Sequence, residues 1–293
     1  MRSRKSPSSR RAQRRAEERA AGRPPAHMTV ALPLRGSVDA VVTAFTSIDR
    51  LGACLAALRR DLPADATITL ADAIPDQAAA RHGELVRIAR EEDLRLDRSG
   101  RDRWDARNRA AGHGQAPLIL FIDSDAVLAE GAWAAMAAAI EPETIGAVGG
   151  LGIWQGEVVP AGFPDPAMRA AGYVLGVMMQ PYARFAGWAP DNPKIYARQD
   201  LQGVPVQFMA TRRSLFRTLG PFPSDPFGSR PFADLYYCLQ LRKAGLAVAF
   251  EPGAIAVVGR EPIALSKQEV QEGQVILAHQ AGDLLQYDEP FLL

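Results

Sequence analysis

Cysteine is scarce in this chain: Cys54 and Cys238 are the only two in 293 residues. Two thiols without a spaced framework exclude a disulfide-stapled scaffold and a cysteine-based zinc site, and they fit a reducing, cytoplasmic setting. The four histidines, His27, His82, His113 and His279, show no ligand spacing. No apolar run reaches the ~20 residues that cross a bilayer. The longest candidate, around 126–140, is interrupted by Glu130 and Gly131. An apolar leader is missing near the start, which argues against a secretory signal. No G-x-G-x-x-G follows the first predicted strand, which counts against a dinucleotide-binding oxidoreductase.

Net charge is also small, +1, but it is unevenly placed. The first 27 residues hold nine Arg or Lys and two Glu, a net of +7 that leaves −6 for the remainder. A mildly acidic body lacks the electrostatic footprint of a nucleic-acid binder. The basic segment contains no aliphatic residue beyond alanine, so it cannot offset its ordering entropy, and a disordered tail over 1–30 is expected. It reads first as an inert extension, second as a peripheral contact with the inner membrane surface, and last as a targeting signal. Met28, just ahead of the first apolar run, is a second candidate start. Nearly half of the chain is apolar, enough for one full-size domain over 37–260 and a helical extension over 261–293 packed on it.

Periodicity within 37–260 alternates between strand and helix. A β-branched run at 38–44 precedes Ser47, a candidate helix cap, and apolar positions Ile48, Leu51, Cys54, Leu55 and Leu58 at helical spacing. Strands are predicted at 66–70, 94–96 and 117–122, with helices at 76–90 and 105–111 between them. The run at 117–122, PLILFI, is uninterrupted and ends at Asp123, as a central strand covered on both faces would. A helix at 130–140 and a strand at 146–154 come next. The Pro-, Gly- and aromatic-rich stretch 160–200 predicts a loop-heavy elaboration over the site. Strands at 204–211 and 247–250, helices at 213–219, 232–244 and 266–279, and an apolar end at 289–293, read as a docking strap, complete the pattern. Such alternation specifies an α/β fold with a mostly parallel sheet flanked by helices, whose ligands bind at the carboxyl edge of the strands.

Asp123-Ser124-Asp125 falls at that edge. Carboxylates at i and i+2 of an extended segment point to one side, and two hard oxygen donors suit Mg²⁺ or Mn²⁺; a turn with two solvated aspartates is the plainer alternative. Asp234, near the start of the 232–244 helix, reads from the residues alone as a helix cap, with Asp225 in the loop before it. Arg107, Arg212 and Arg213 read as phosphate partners or as solvated helix positions, and Trp154, Tyr182, Phe185 and Trp188 as sugar-stacking or packing rings.

The ordered motifs carry a resemblance. Ala106-Arg107-Asn108-Arg109-Ala110-Ala111, the run LILFIDSDAVL (118–128), AGYVLG (171–176), VQFMATRRSLFRTL (206–219) with Gly-Pro-Phe after it, and FADLYYCLQLRKAG (232–245) with Phe-Glu-Pro resemble family-two glycosyltransferases of the GT-A, Rossmann-type fold. Rhamnosyl- and polysaccharide-type members are the most similar. The resemblance implies a glycosyltransferase that moves a sugar with inversion from a nucleoside diphosphate sugar to a hydroxyl of a glycan, a lipid-linked sugar or a small molecule. It implies that Asp123 and Asp125 hold the metal, with Asp123 also near the ribose, that Asp72 approaches the base and that Thr43, Ala44 and Phe45 edge the nucleotide. Asp234 matches the proposed catalytic base. Ala233, Tyr236 and Val258 depart from the pattern: the first two replace acidic or amide positions of the base motif, and Val258 stands where many members have a metal-binding His. These departures favour, as alternatives, a non-catalytic nucleotide- or glycan-binding relative; a nucleotidyltransferase is a third reading.

Overall fold

The computed structural model describes residues 37–45, 48–75, 78–176, 180–196, 200–259 and 265–286. The basic tail, Ser47, the predicted helix start at 76 and the apolar end at 289–293 lie outside them. The first half runs β1 (Val38–Ala44), α1 (Leu51–Asp61), β2 (Thr67–Asp72), α2 (Ala79–Glu91), β3 (Arg95–Asp97), α3 (Arg103–Gly112), β4 (Leu118–Asp123) and β5 (Ala126–Leu128). The second half runs α4 (Ala132–Ile140), β6 (Ile145–Trp154), β7 (Ala167–Ala170), β8 (Tyr173–Leu175), β9 (Pro181–Ala183), β10 (Asp200–Leu201), β11 (Phe208–Arg212), α5 (Arg213–Thr218), α6 (Ala233–Lys243), β12 (Ala247–Val258) and α7 (Lys267–Ala281). Among the described residues, no helix is long and apolar enough to cross a membrane.

The main sheet has the order β10-β12-β6-β11-β4-β1-β2-β3. Strands β3, β2, β1 and β4 are parallel, as are β6 and β12, while β11 runs antiparallel to both β4 and β6. The α/β class with a mostly parallel sheet is thus the one the sequence predicts. Period-two alternation divides two cores. Val41, Ile119 and Phe121 face the helices α3, α5, α6 and α7, whereas Ala40, Val42, Leu118, Leu120 and Ile122 face α1, α2 and α4. Burying a side chain such as Phe121 contributes roughly 1.5–3 kcal/mol, and both faces of the central strands gain it.

Several elements differ from the sequence reading. Helix α1 begins at Leu51 behind Arg50, which makes no side-chain cap bond. Strand β2 continues to Asp72, and β5 had no counterpart in the apolar pattern because it spans only three residues. Strand β12 was expected to stop at Phe250, since Pro252-Gly253 reads as a breaker. Instead a register shift between Glu251 and Ile255 absorbs the pair, Gly253 N donating to Glu251 Oε1 at 2.8 Å, and pairing resumes to Val257. Helix α7 lies where the sequence predicts a helix, and it starts behind a reciprocal capping box formed by Ser266 and Glu269.

Arg212 and Arg213, read as phosphate partners or as solvated helix positions, are instead engaged by the protein itself. Arg212 donates to the carbonyls of Ile140, Glu141, Pro142 and Ile145, and Arg213 to those of Ala116 and Ala111. Arg213 also ion-pairs with buried Asp39, which accepts from Thr67 Oγ1 and from Ala116 N at 2.8 Å. The register of Asp39 with Ile119 and of Arg212 with Leu118 puts this network at the end of β4 remote from Asp123. Breaking a buried pair from one side strands a charge. Arg213→Met should therefore cost about 3–5 kcal/mol in urea unfolding, and adding Asp39→Ala should recover part of the loss. A double variant no more stable than the single one would contradict this account of the pair.

Candidate functional site

The carboxyl ends of β1, β2, β4, β6 and β12 share one edge of the sheet, and the antiparallel β11 begins there. Phe208 pairs with Ile122, so the segment 205–207 that leads into β11 lies beside the end of β4. Two backbone bonds fix that end: Asp123 N donates to Gln207 O at 3.2 Å, and Ser124 N to Thr43 O at 2.9 Å. Antiparallel pairing of β5 with β12 then sets Ala126 opposite Val258, and Gly259 N donates to Asp125 O at 3.1 Å. Glycine leaves room at this contact, since a Cβ on residue 259 would lie 3.0 Å from Asp125 Oδ2 and the side chain would have to shift to admit it.

These constraints bring Asp123 and Asp125 to one cavity of about 300 Å³. Phe45, Arg103, Trp104 and Arg107 line it from β1 and α3, Arg169 and Tyr173 from β7 and β8, and Asp234 from α6. Val258 and, from the C-terminal segment, Leu265 and Val270 complete the wall. Of the positions singled out in the sequence, Phe45, Arg107, Asp123, Asp125 and Asp234 converge here. Thr43 and Ala44 are fully buried in β1, and Thr43 Oγ1 has no hydrogen-bond partner. Asp72 ends the adjacent strand, level with Ala44, but is not part of the lining. Its carboxylate accepts from Ile74 N at 3.2 Å and pairs with His82 Nδ1 at 2.7 Å and Arg98 Nε at 3.3 Å. Asp225 does not line the cavity either. Trp188 packs on Phe185 at 4.9 Å and Trp154 stacks on Phe163 at 6.2 Å, both outside the cavity, while Tyr182 is exposed between two lining residues.

Arg107, 3 % exposed, donates from Nη2 to Asp123 Oδ1 at 2.7 Å and from Nη1 to the Arg103 carbonyl at 3.2 Å. The ion pair fixes one carboxylate oxygen of Asp123. Asp234 is 2 % exposed. It is not the helix cap, which is Phe232 in left-handed backbone at φ 80°. Instead its carboxylate accepts from Val206 N at 3.0 Å, Leu235 N at 2.9 Å and Tyr173 Oη at 3.0 Å. Burial pushes the carboxyl above its ordinary value, against the pull of these three donors and of Arg103. Val258, where the resembling family often has His, is 4 % exposed and supplies no donor. Sequence reading missed Arg103, Arg169 and Tyr173. The first lay beside the quoted Arg107 motif, but an isolated arginine at a helix start carries no periodic signal.

No family model and no curated protein matches the sequence. Solved structures do match. The mannosyltransferase PcManGT from Pyrobaculum calidifontis, in complex with GDP-Man and Mn²⁺, is similar with a TM-score of 0.57 at 15% identity, covering 95% of this chain and 73% of that one. GalNAc-T7 with UDP, GalNAc and Mn²⁺ gives 0.59 at 14% identity over 83% of this chain, which spans about half, 47%, of that chain. At such identities the likeness establishes a GT-A-like fold shared with glycosyltransferases.

The environment of Asp234 yields a direct check. Removing the phenolic donor with Tyr173→Phe leaves burial less opposed, so the Asp234 carboxyl should titrate higher than in the wild type, which itself lies above the usual ~3.9. Carboxyl NMR titration reads both values. A wild-type Asp234 titrating at or below the ordinary range contradicts the described burial.

Proposed function

We propose that the chain is a glycosyltransferase that moves a sugar, with inversion, from a nucleoside diphosphate sugar to a hydroxyl acceptor. The observation that carries this reading is the meeting of Asp123, Asp125 and Asp234 in one cavity at the carboxyl edge of a GT-A-like sheet. The solved relatives were captured with Mn²⁺ and a nucleotide or nucleotide sugar, which supports the same donor class here. Residues 37–260 would form the catalytic domain and 261–293 the extension that walls its acceptor side.

The donor set fits a hard divalent cation on one condition. Among the described residues no group of three or more His, Cys, Asp or Glu could hold a metal. Asp123 and Asp125 would therefore hold Mg²⁺ or Mn²⁺ together with phosphate oxygens and water, the usual arrangement for Mg²⁺ beside a nucleotide. When bound, the ion supplies charge neutralisation to the diphosphate. Arg107 holds Asp123 in place. Asp234, with its carboxylate fixed by three donors, takes the proton of the attacking hydroxyl, and the apolar surroundings that raise its pKa also raise its basicity. Acceptors would be a glycan, a lipid-linked sugar or a small molecule.

Val258 supports a second reading, a relative that binds the donor without turning it over, because among the described residues no third donor groups with Asp123 and Asp125. Titration of the protein with UDP and GDP sugars and Mn²⁺ decides whether donors bind; acceptor panels decide turnover. Asp125→Ala should abolish metal-dependent binding. Asp234→Asn should bind donor normally and lose transfer by about 10²- to 10⁴-fold. Since Asp234 must be ionised to act and its pKa is raised, the wild-type rate should fall as pH drops through that value while donor binding holds. Normal transfer by Asp234→Asn would remove it as the base, and binding of no nucleotide by the folded wild type would remove the whole reading.

A further inference from the structure

Arg103 stands apart from the other cations of the cavity. Arg107 is engaged with Asp123, and Arg169 donates to Gln207 Oε1. Arg103 differs in that it ion-pairs with no carboxylate among the described residues; its Nε, like that of Arg107, is buried without a hydrogen-bond partner among them. The guanidinium is nevertheless held in place, 5.2 Å from the centre of the Phe45 ring and 4.7 Å from that of Trp104. Those rings lie on two elements, so they restrict the side chain without consuming its donors. Burial, and after it the like charge of Arg107 one turn along α3, pulls the Arg103 guanidinium below its ordinary value. Asp234 and Asp123 each act on it from a distance. An arginine so placed is a costly arrangement on its own, and an anion with oxygens for its free N–H groups relieves the cost.

We infer that Arg103 grips the terminal phosphate of the donor diphosphate, the group that leaves when the sugar is transferred. The inference rests on the glycosyltransferase reading, which supplies the anion. Its position also suits the task, because Arg103 feels both Asp123 at the proposed metal end and Asp234 at the proposed base end. During transfer the bond between the anomeric carbon and the phosphate oxygen breaks with its electron pair left on that oxygen. A bond forms between the same carbon and the acceptor oxygen, whose proton passes to Asp234. The leaving diphosphate gains negative charge as the bond breaks, and the Arg103 N–H groups are donors prepared for it.

Calorimetry on the full chain with Mn²⁺ tests this, using UDP and GDP against UMP and GMP. Arg103→Met keeps the aliphatic stem between the two rings, and Arg103→Lys keeps the charge but loses the fork. The expected result is a loss of about 10- to 100-fold in diphosphate affinity for Arg103→Met, with monophosphate binding changed by roughly twofold or less and Arg103→Lys in between. Equal losses for both nucleotide classes, or unchanged diphosphate binding, overturn the role of Arg103 and leave the transferase reading intact. If Arg103→Met lacks the wild-type circular dichroism, the same comparison on Arg103→Lys decides, and a loss confined to diphosphate is required. A wild-type protein that binds neither diphosphate overturns both this inference and the reading beneath it.

Discussion

The candidate site depends on where β4 stops. Its five apolar residues are buried on both faces, so the strand can meet polar chemistry only at its end, and that end is Asp123. Backbone bonds to Thr43 and Gln207 and the ion pair with Arg107 fix the position from three other parts of the chain. Each partner belongs to a different element, so the geometry is that of the fold rather than of a local turn. Carboxylates clustered at one edge repel each other, and the arginines on α3 offset that cost.

The antiparallel strand β11 is what makes the edge into a cavity. In an all-parallel sheet the next strand would begin at the opposite edge. Because β11 runs the other way, its leading segment 205–207 arrives beside Asp123, and Val206 N is free to fix Asp234. Strand β12 runs parallel to β6 and returns Val258 and Gly259 to the same rim, against Asp125. The C-terminal helix α7 then packs on Pro231 through Gly273 and on Arg230 through Glu272, carrying Val270 to the cavity wall. The cavity thus has both charged lining, from Asp123, Asp125, Arg103, Arg107 and Asp234, and apolar lining, from Val258, Leu265 and Val270.

Much of this was legible because it is periodic. The central strands and the amphipathic helices announce themselves in local patterns, and Asp-Ser-Asp after PLILFI marks the candidate functional edge. What was not legible depends on partners distant in sequence. Nothing local distinguishes Arg213, committed to Asp39 across 174 positions, from Arg103, which has no such partner. Nothing local shows that Tyr173 meets Asp234, or that Pro252-Gly253 forms a bulge inside β12 instead of ending it. Composition suggested loops over 160–200, yet β7 joins the main sheet and β8 pairs with β9, because short strands bury few side chains and leave little signal.

The central claim is that Asp123 and Asp125 present their oxygens to a cation that also carries a diphosphate. Electron paramagnetic resonance of Mn²⁺ mixed with the protein and a nucleoside diphosphate tests it most directly. The account predicts an immobilised Mn²⁺ signal with phosphorus hyperfine coupling, present in the wild type and lost in Asp125→Ala. The same immobilised signal in both proteins, or a wild-type spectrum identical to that of Mn²⁺ and nucleotide alone, would contradict it.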